Sequence, residues 1–241
     1  MKTYKLMLES VFKQEYNNYK IVYVDDGSPF EVQSRIKAYA AEHKDKNLTI
    51  LFKQKHDYAL KNRVDSIYFC DQDDIVIDVD SHDFLVGRQV LKLVNALYHR
   101  KPETWVLYLN NFSFQGIKPK VSSITLGTLP HSVFEANSYR HSNLWVTTEL
   151  RTFRKKLFMK IDPDDFIDKN NKFYEAKSDA FTMFPLIELA GEEHFAKEDI
   201  FCLFLLSFPR DTRQRKNEDI QGPKSSSIKS YNTLPTFGVS G

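Results

Sequence analysis

Residues 20–29 read KIVYVDDGSP, and this stretch decides the class of fold. The apolar run from Ile21 to Val24 is rich in β-branched residues, which favour strands. It stops abruptly at Asp25 and Asp26, where a turn-forming Gly-Ser-Pro sequence follows. The pattern predicts a buried strand that delivers two carboxylates to a polar loop.

Strands and helices alternate on both sides of this stretch as far as residue 115. Helical spacing of apolar residues covers residues 4–14, 31–43 and 84–99. Strand-like apolar runs cover residues 48–52, 66–70 (SIYFC) and 105–114. This alternation predicts an α/β domain with a mainly parallel sheet flanked by helices, in which ligands bind beyond the carboxyl ends of the strands.

The second half of the chain is less regular and is expected to be mostly helical. Residues 150–161 have the pattern of a basic helix, and residues 178–190 predict another that stops at Gly191. A last strand is expected over residues 199–208. The Ser-rich stretch 221–241 is predicted to be a mobile tail, which leaves one domain over residues 1–220.

Composition narrows the class of protein. The 241 residues carry 34 Lys and Arg against 32 Asp and Glu, so a net charge of +2 gives no reason to expect a nucleic-acid partner. Two cysteines make no disulfide framework, and no apolar run is long enough to span a membrane. With no signal-peptide pattern at the N-terminus, we expect a cytoplasmic protein. The oligomeric state is left open.

The acidic cluster at residues 71–74, Asp-Gln-Asp-Asp, follows the predicted strand SIYFC. Three carboxylates this close repel each other, and a divalent cation would relieve that repulsion. The cluster therefore favours a Mg²⁺ or Mn²⁺ site that also holds substrate phosphates. For the pair at residues 25–26, a loop or helix-cap role is an equal alternative. No pair of histidines has metal-ligand spacing, so His82 is expected to be a surface or packed residue.

Four segments together resemble the family-2 glycosyltransferases. They are YVDDGS (23–28), IYFCDQDD (67–74), LRTFRK (150–155) and SDAFTMFPLIELAG (178–191). Each segment alone is a weak signal, but their order covers most of residues 4–210. The resemblance implies a GT-A, Rossmann-like fold, with residues 1–115 as the nucleotide-sugar half and 116–220 as the acceptor half.

The resemblance implies inverting transfer of a sugar from a nucleotide-sugar, expected to be a UDP-sugar, to a hydroxyl of a glycan, protein or lipid. Its implied site residues are as follows: Asp25 and Asp26 at the base or ribose, Asp71 near the ribose, Asp73 and Asp74 on the metal and diphosphate, and Asp179 as general base. Arg151 and Arg154 would face the diphosphate or the acceptor. For each arginine a solvated helix face is an equal alternative, and for Asp179 the alternative is a helix N-cap.

Two departures from the family pattern are expected to weaken donor binding. The family's first strand, of the form VSIIxPxYN, has no counterpart before residue 4. In addition, only ALKNR (59–63) stands where the family has a longer nucleotide-contacting helix, with little room before residue 66.

Two other functions stay open on the sequence. A GT-A-like module without catalysis would act by binding alone. A phosphatase of the haloacid-dehalogenase type also begins with Asp-x-Asp after a buried strand, but the later lysine and acidic pair that it needs have no clear match.

Overall fold

The computed structural model describes residues 3–115, 120–124, 128–141, 150–207 and 230–234. The helices are α1 (Thr3–Phe12), α2 (Phe30–Glu42), α3 (Tyr58–Tyr68), α4 (Val90–Arg100), α5 (His131–Glu135), α6 (Lys155–Phe158) and α7 (Ser178–Ala190), with a 3-10 turn at Pro163–Phe166. The strands are β1 (Ile21–Asp25), β2 (Leu48–Phe52), β3 (Ile75–Asp78), β4 (Phe84–Leu85), β5 (Val106–Gln115), β6 (Lys120–Ile124), β7 (Arg151–Arg154) and β8 (Phe195–Ser207).

The described strands form two sheets rather than one. β1 and β2 pair in parallel as a two-stranded sheet. The larger sheet has the order β3-β7-β5-β8-β4, with β6 beside β5, and only the β5–β8 pair in it is parallel. Parallel pairing is thus confined to β1–β2 and β5–β8, and the second sheet is mixed.

The first elements fold as the spacing predicts. In α1, Tyr4, Met7 and Leu8 share one face and are buried against Ile36 and Tyr39 of α2. Residues of β1 and β2 complete this cluster from the sheet side. The helices therefore cover one face of the small parallel sheet, as in other α/β units.

The prediction of a strand at residues 66–70 is wrong. Residues 66–68 are the end of α3, and residues 69 and 70 follow it in a turn. The buried residues Leu60, Val64 and Ile67 of α3 recur at helical spacing. The strand follows at β3 instead, so residues 71–74 form a turn ahead of a strand. The helix at the place of ALKNR is α3, which has 11 residues and continues through residues 62–66.

Two other predicted helices differ in the structure. Residues 151–154 form β7 in the middle of the large sheet, and only the four residues of α6 that follow are helical. The helix predicted over residues 84–99 begins at Val90, because Phe84 and Leu85 pair with β8. In contrast, α7 has the predicted bounds and ends at Gly191.

The main core lies where α7 packs against α6, α3 and the large sheet. Ten of the residues of α7, Phe181 to Ala190, are buried, which explains why its pattern is apolar on all sides. Within the described part of the chain, no helix combines the length and apolar character needed to cross a membrane.

Most of the tail predicted at 221–241 lies outside the described residues. The described part, residues 230–234, packs on the core. The backbone N–H of Tyr231 donates to the buried carboxylate of Glu188 at 3.0 Å, and that of Leu234 donates to the Leu189 carbonyl. Arg140 binds the same carboxylate at 2.5 and 2.6 Å, so this short segment completes a buried polar network.

Candidate functional site

A cavity of about 840 Å³ lies between β1 and β3. Asp26, just after β1, and Asp80, just after β3, both line it. At the opposite end, Lys20 precedes β1 and binds Asp71 and Asp74, which precede β3. The two strands therefore run in the same direction, and their carboxyl ends deliver acidic residues to one end of the cavity.

Asp25 shapes the loop that follows β1. Its side chain is 3% exposed, and its Oδ1 accepts hydrogen bonds from the Ser28 N–H at 3.1 Å and from Gln33 Nε2 at 2.8 Å. A carboxylate that bonds the backbone three residues later is typical of an Asx-type turn. Asp25 thus stabilises the loop, and Asp26 is the residue that lines the cavity.

Asp26 links this loop to the one ahead of α3. Its Oδ1 accepts from the Asp57 N–H at 2.7 Å, and its Oδ2 lies 2.5 Å from Nδ1 of His56. Gly27 allows the two loops to touch: it has φ +75°, and a Cβ there would lie 2.6 Å from the carbonyl carbon of Lys55. The loops are therefore held as one rim of the cavity.

The predicted metal cluster lies at the other end of β3. Lys20 Nζ is 2.6 Å from Asp71 and 2.9 Å from Asp74, and Asp74 also accepts from the Asp71 N–H at 2.7 Å. The hydrogen bond from Lys20 lowers the pKa of Asp71. Asp73 lines the same cavity and is exposed. The negative charge of this turn is thus already partly compensated by a lysine.

A second acidic group follows β3; none of its residues was predicted as a metal ligand, and His82 was expected to be a surface or packed residue. Potential ligand atoms of Asp80, His82 and Asp83 lie within 4.8 Å of one another. Asp83 is 1% exposed, whereas His82 is exposed. In the described ranges no other set of three His, Cys, Asp or Glu side chains is close enough to share an ion. Carboxylate oxygens suit Mg²⁺ and Mn²⁺, and an imidazole is compatible with the latter, so these residues fit a divalent cation.

The pKa of Asp80 is raised, whereas that of Asp71 is lowered. Burial is the largest cause that raises the pKa of Asp80, and the charge of Asp78 raises it further. Arg63 and Arg151 act in the opposite direction without cancelling these effects. Burial makes the negative charge of this carboxylate costly, and a bound cation would offset that cost.

Two buried arginines connect Asp78, the last residue of β3, to Asp179. Arg63, 8% exposed, contacts Asp78 at 2.8 Å and Asp179 at 2.9 Å. Arg151, 2% exposed, contacts the same two carboxylates at 3.3 and 2.9 Å. Asp179 therefore has one oxygen on each guanidinium, in the first turn of α7, where a helix N-terminus also favours a negative charge. Its side chain stays 39% exposed.

Arg154 lies apart from these residues. Its guanidinium donates to the carbonyls of Thr104 and Pro102 at 2.8 and 2.9 Å and covers the ring of Tyr98. Neighbouring residues of a strand point to opposite faces, so Arg151 and Arg154, three positions apart in β7, face different surroundings. The structure brings Arg151 to the site and leaves Arg154 at the start of β5.

The sequence contained a signal for the residues that were missed. Residues 75–83 read IVIDVDSHD, a run of β-branched residues followed by acidic ones, which is the pattern already recognised at 21–26. SIYFC is less rich in β-branched residues and fits the helical spacing of α3. Arg63 could not be found this way, because its partners come from β3 and α7.

Comparison with known proteins agrees with this architecture. The family described as Glycosyl transferase family 2 matches residues 3–162. S. aureus TarS (residues 1–349) in complex with UDP-GlcNAc is 16% identical, with a TM-score of 0.60 over 94% of this chain. The mannosyltransferase PcManGT from Pyrobaculum calidifontis, in complex with GDP-Man and Mn²⁺, is 15% identical, with a TM-score of 0.56 over 90% of this chain. The search of curated proteins finds no match.

These likenesses define the fold and the family. The chain spans 57% of the TarS structure and 56% of the PcManGT structure, so the likeness concerns part of each relative. At these identities the structures show the GT-A fold alone. The sequence match extends over more than half of the chain, and the protein belongs to glycosyl transferase family 2.

Proposed function

We propose that this protein transfers a sugar from a nucleotide-sugar to an acceptor hydroxyl, with a divalent cation and with inversion at the sugar carbon. The observation that carries the proposal is that Asp26 and Asp80 line one end of the cavity, with His82 and Asp83 close to Asp80. Arg63 and Arg151 join Asp78 of the adjoining strand to Asp179. Family membership supports glycosyl transfer. TarS was solved with UDP-GlcNAc and PcManGT with GDP-Man and Mn²⁺, which supports a nucleotide-sugar donor and a metal.

We assign the metal to Asp80, His82 and Asp83 rather than to Asp73 and Asp74. The first group is the one with three ligand atoms close together and lies at the carboxyl end of β3, where ligands bind in α/β sheets. In the second group, Asp74 already forms an ion pair with Lys20, which would compete with a metal ion. A bound Mn²⁺ or Mg²⁺ would neutralise the charge that develops on the leaving diphosphate.

The remaining residues have separate roles in this proposal. Asp26 contacts the nucleotide, as its place on the cavity rim allows, and Asp25 holds the loop that presents it. Asp71, predicted near the ribose, lies at the far end and is assigned no donor contact. Arg151 orients Asp179 together with Arg63, and no donor or acceptor contact is proposed for Arg154, because carbonyls already bind it.

Asp179 is the proposed general base. An inverting transfer needs one base, which removes the proton from the acceptor hydroxyl as its oxygen attacks the sugar carbon. The two guanidinium groups fix the direction in which the carboxylate faces, and its partial exposure leaves it accessible to an acceptor. Fixed orientation of a reacting group is a major source of rate enhancement.

A direct test uses a panel of UDP- and GDP-sugars with Mn²⁺, and compares the unchanged chain with Asp179→Asn. We expect transfer or slow donor hydrolysis by the unchanged chain, and a loss of about 10²–10⁴-fold in the variant, as for removal of other general bases. Donor affinity, measured by calorimetry, should stay within about threefold. Absence of donor binding with and without Mn²⁺ would sink the proposal.

A donor-binding protein without turnover is the second candidate. It is favoured by the gap between β1 and β3, which are not paired with each other in the described part of the chain. Donor binding without transfer to any acceptor would identify this case. No observation favours the phosphatase alternative, and the family match speaks against it.

A further inference from the structure

A second cavity, of about 500 Å³, lies between the end of α3 and the strand β2. Residues 50–53 line one side of it, and Asp65, Tyr68 and Phe69 line the other. It shares no lining residue with the cavity between β1 and β3. Tyr68 is 46% exposed and Phe69 55%, which places them among the few exposed large apolar residues of the described chain. Exposed aromatic rings beside a cavity indicate a binding surface.

The two rings belong to the exposed face of α3. Helical residues three, four or seven positions apart lie on one face, so Lys61, Asp65 and Tyr68 share a face. Phe69 follows directly after the helix, and the buried residues of α3 lie on the opposite side. Since a helix rises about 1.5 Å per residue, this face extends over about 15 Å from Tyr58 to Tyr68.

The exposed face begins at the rim of the cavity between β1 and β3. The ring of Tyr58, the first residue of α3, packs on the ring of His56 with 4.3 Å between the centroids, and His56 lines that cavity. One turn further on, Lys61 Nζ lies 5.3 Å from the ring centroid of Phe173, in the segment that leads to Asp179. The face therefore connects the proposed site of transfer with the two exposed rings.

Charged side chains lie between the two ends of this face. Asp65 accepts hydrogen bonds from Lys61 and from Lys53, which follows β2. Burial acts to raise the pKa of Asp65, but these hydrogen bonds outweigh it, so the pKa is lowered. The carboxylate thus stays charged, and its remaining lone pairs can accept hydrogen bonds from hydroxyl groups.

The mixture of rings and charges indicates which kind of ligand fits. The core of a protein–protein interface is enriched in aromatic residues but depleted of charged ones, whereas here Asp65 and Lys53 line the same cavity as the rings. A sugar ring has apolar C–H faces that pack on aromatic side chains, and hydroxyl groups that bind to charged ones. An acyl chain offers no donor to the carboxylate. The chemistry therefore favours a carbohydrate.

We infer that the acceptor is an oligosaccharide that lies along the exposed face of α3, an inference that rests on the proposed function. Its reacting end would meet Asp179, and sugars further along would stack on Tyr68 and Phe69. Hydroxyl groups between them would bind Lys61 and Asp65. Because the face is about 15 Å long, only a chain of several linked sugars reaches both ends, and affinity should grow with chain length.

Calorimetry without any donor tests the inference on the full chain. The probes are the disaccharide and the hexasaccharide of each of the malto, cello, chito and manno series. We expect at least one hexasaccharide to bind at least tenfold more tightly than its disaccharide. The double variant Tyr68→Ala, Phe69→Ala should abolish this difference. Met159→Ala, which removes a 43% exposed side chain at the end of α6, should keep it.

Kinetics give a second measurement with the same probes as acceptors. In the alanine double variant we expect KM for the hexasaccharide to rise about tenfold with kcat unchanged, because contacts far from the reacting atoms are equal in the ground state and the transition state. KM for the disaccharide should not change. Tyr68→Trp with Phe69→Trp keeps two aromatic faces and should keep hexasaccharide binding, and this pair decides if the alanine pair fails to fold.

Three results would overturn the inference. One is that no hexasaccharide binds more tightly than its disaccharide, and another is an equal loss of affinity in Met159→Ala. The third is a dimer of the unchanged chain in sedimentation that the alanine pair separates, which would mean that the rings contact a second copy. Any of these, together with transfer to a short acceptor, rejects this inference and leaves the proposed function standing. Absence of donor binding rejects the proposed function instead.

Discussion

The two acidic turns at either end of β3 are alike in sequence and opposite in surroundings. Residues 71–74 precede the strand and residues 80–83 follow it. In the first turn the hydrogen bond from Lys20 lowers the pKa of Asp71, whereas in the second, burial and the nearby Asp78 raise the pKa of Asp80. We propose the metal at the second turn because burial makes the charge of Asp80 costly, whereas Lys20 already compensates the charge of Asp71.

The largest expected effect comes from removing the carboxylate charges at the two ends of β3, one end at a time. Asp80→Asn with Asp83→Asn should weaken Mn²⁺-dependent nucleotide-sugar binding by ~100-fold or more, since even partners of metal ligands often contribute ~10–100-fold. The matched pair Asp73→Asn with Asp74→Asn should change it by less than about threefold. Calorimetry with and without Mn²⁺ measures both. If the Asp73 and Asp74 variant lost more affinity than the Asp80 and Asp83 variant, the metal would be assigned to the turn ahead of β3.

The next effect concerns the cations that bind carboxylates at the two ends of β3. Arg63→Met leaves Asp78 and Asp179 without one of their buried partners and should cost about 3–5 kcal/mol of unfolding free energy. Lys20→Met breaks contacts with exposed carboxylates and should cost about 0–1 kcal/mol. Urea unfolding monitored by circular dichroism compares them. Equal losses of unfolding free energy would show that the ion pairs at the two ends of β3 do not differ in burial.

A smaller effect is the titration of Asp71. Because its pKa is lowered in the folded chain, its contact with Lys20 stabilises the fold above the ordinary aspartate pKa, and this contribution is lost as the pH falls through the lowered value. In Lys20→Met we expect the pKa of Asp71 to rise towards its ordinary value. Carboxyl ¹³C NMR titration measures it, and an unchanged pKa would mean that Lys20 does not bind this turn in solution.

The smallest effect is on Cys70, which precedes the first turn. Burial raises the pKa of its thiol, and the charge of Asp74 raises it further. Asp74→Asn should therefore increase the fraction of thiolate and speed alkylation severalfold at pH 8. Cys202 serves as internal control: burial raises its pKa to about 12, and its rate should not respond. Equal acceleration at both thiols would indicate loosening of the fold instead.

The local parts of the fold could be predicted, and the parts that depend on distant partners could not. Helical spacing of apolar residues predicted α1, α2 and α7, and β-branched runs predicted β1 and β2, since each pattern lies within one element. Residues 66–70 were misread because a short apolar run fits a strand or the end of a helix. The choice between them depends on Leu60 and Val64, which extend the helical face backwards.

The candidate site was predictable in kind and not in detail. Asp26 and Asp179 could be proposed from motifs, and the structure places them near the cavity end and on the arginine pair. Arg151 was assigned to a helix because the apolar residues of 150–161 fit one helical face, yet it is buried in β7 between carboxylates from two other elements. No pattern within residues 150–155 contains that information.

The segment at residues 230–234 determines the expected effect of shortening this protein at its C-terminus. Thr233 fills the space beside Gly191, where a Cβ would lie 2.5 Å from its methyl carbon. The Tyr231 N–H supplies a hydrogen bond to Glu188, whose side chain is 0% exposed. A chain cut at residue 220 would therefore lose packing at the end of α7 and one donor to a buried charge. Removal of this segment is therefore equivalent to a mutation in the core, and it is expected to lower the free energy of unfolding.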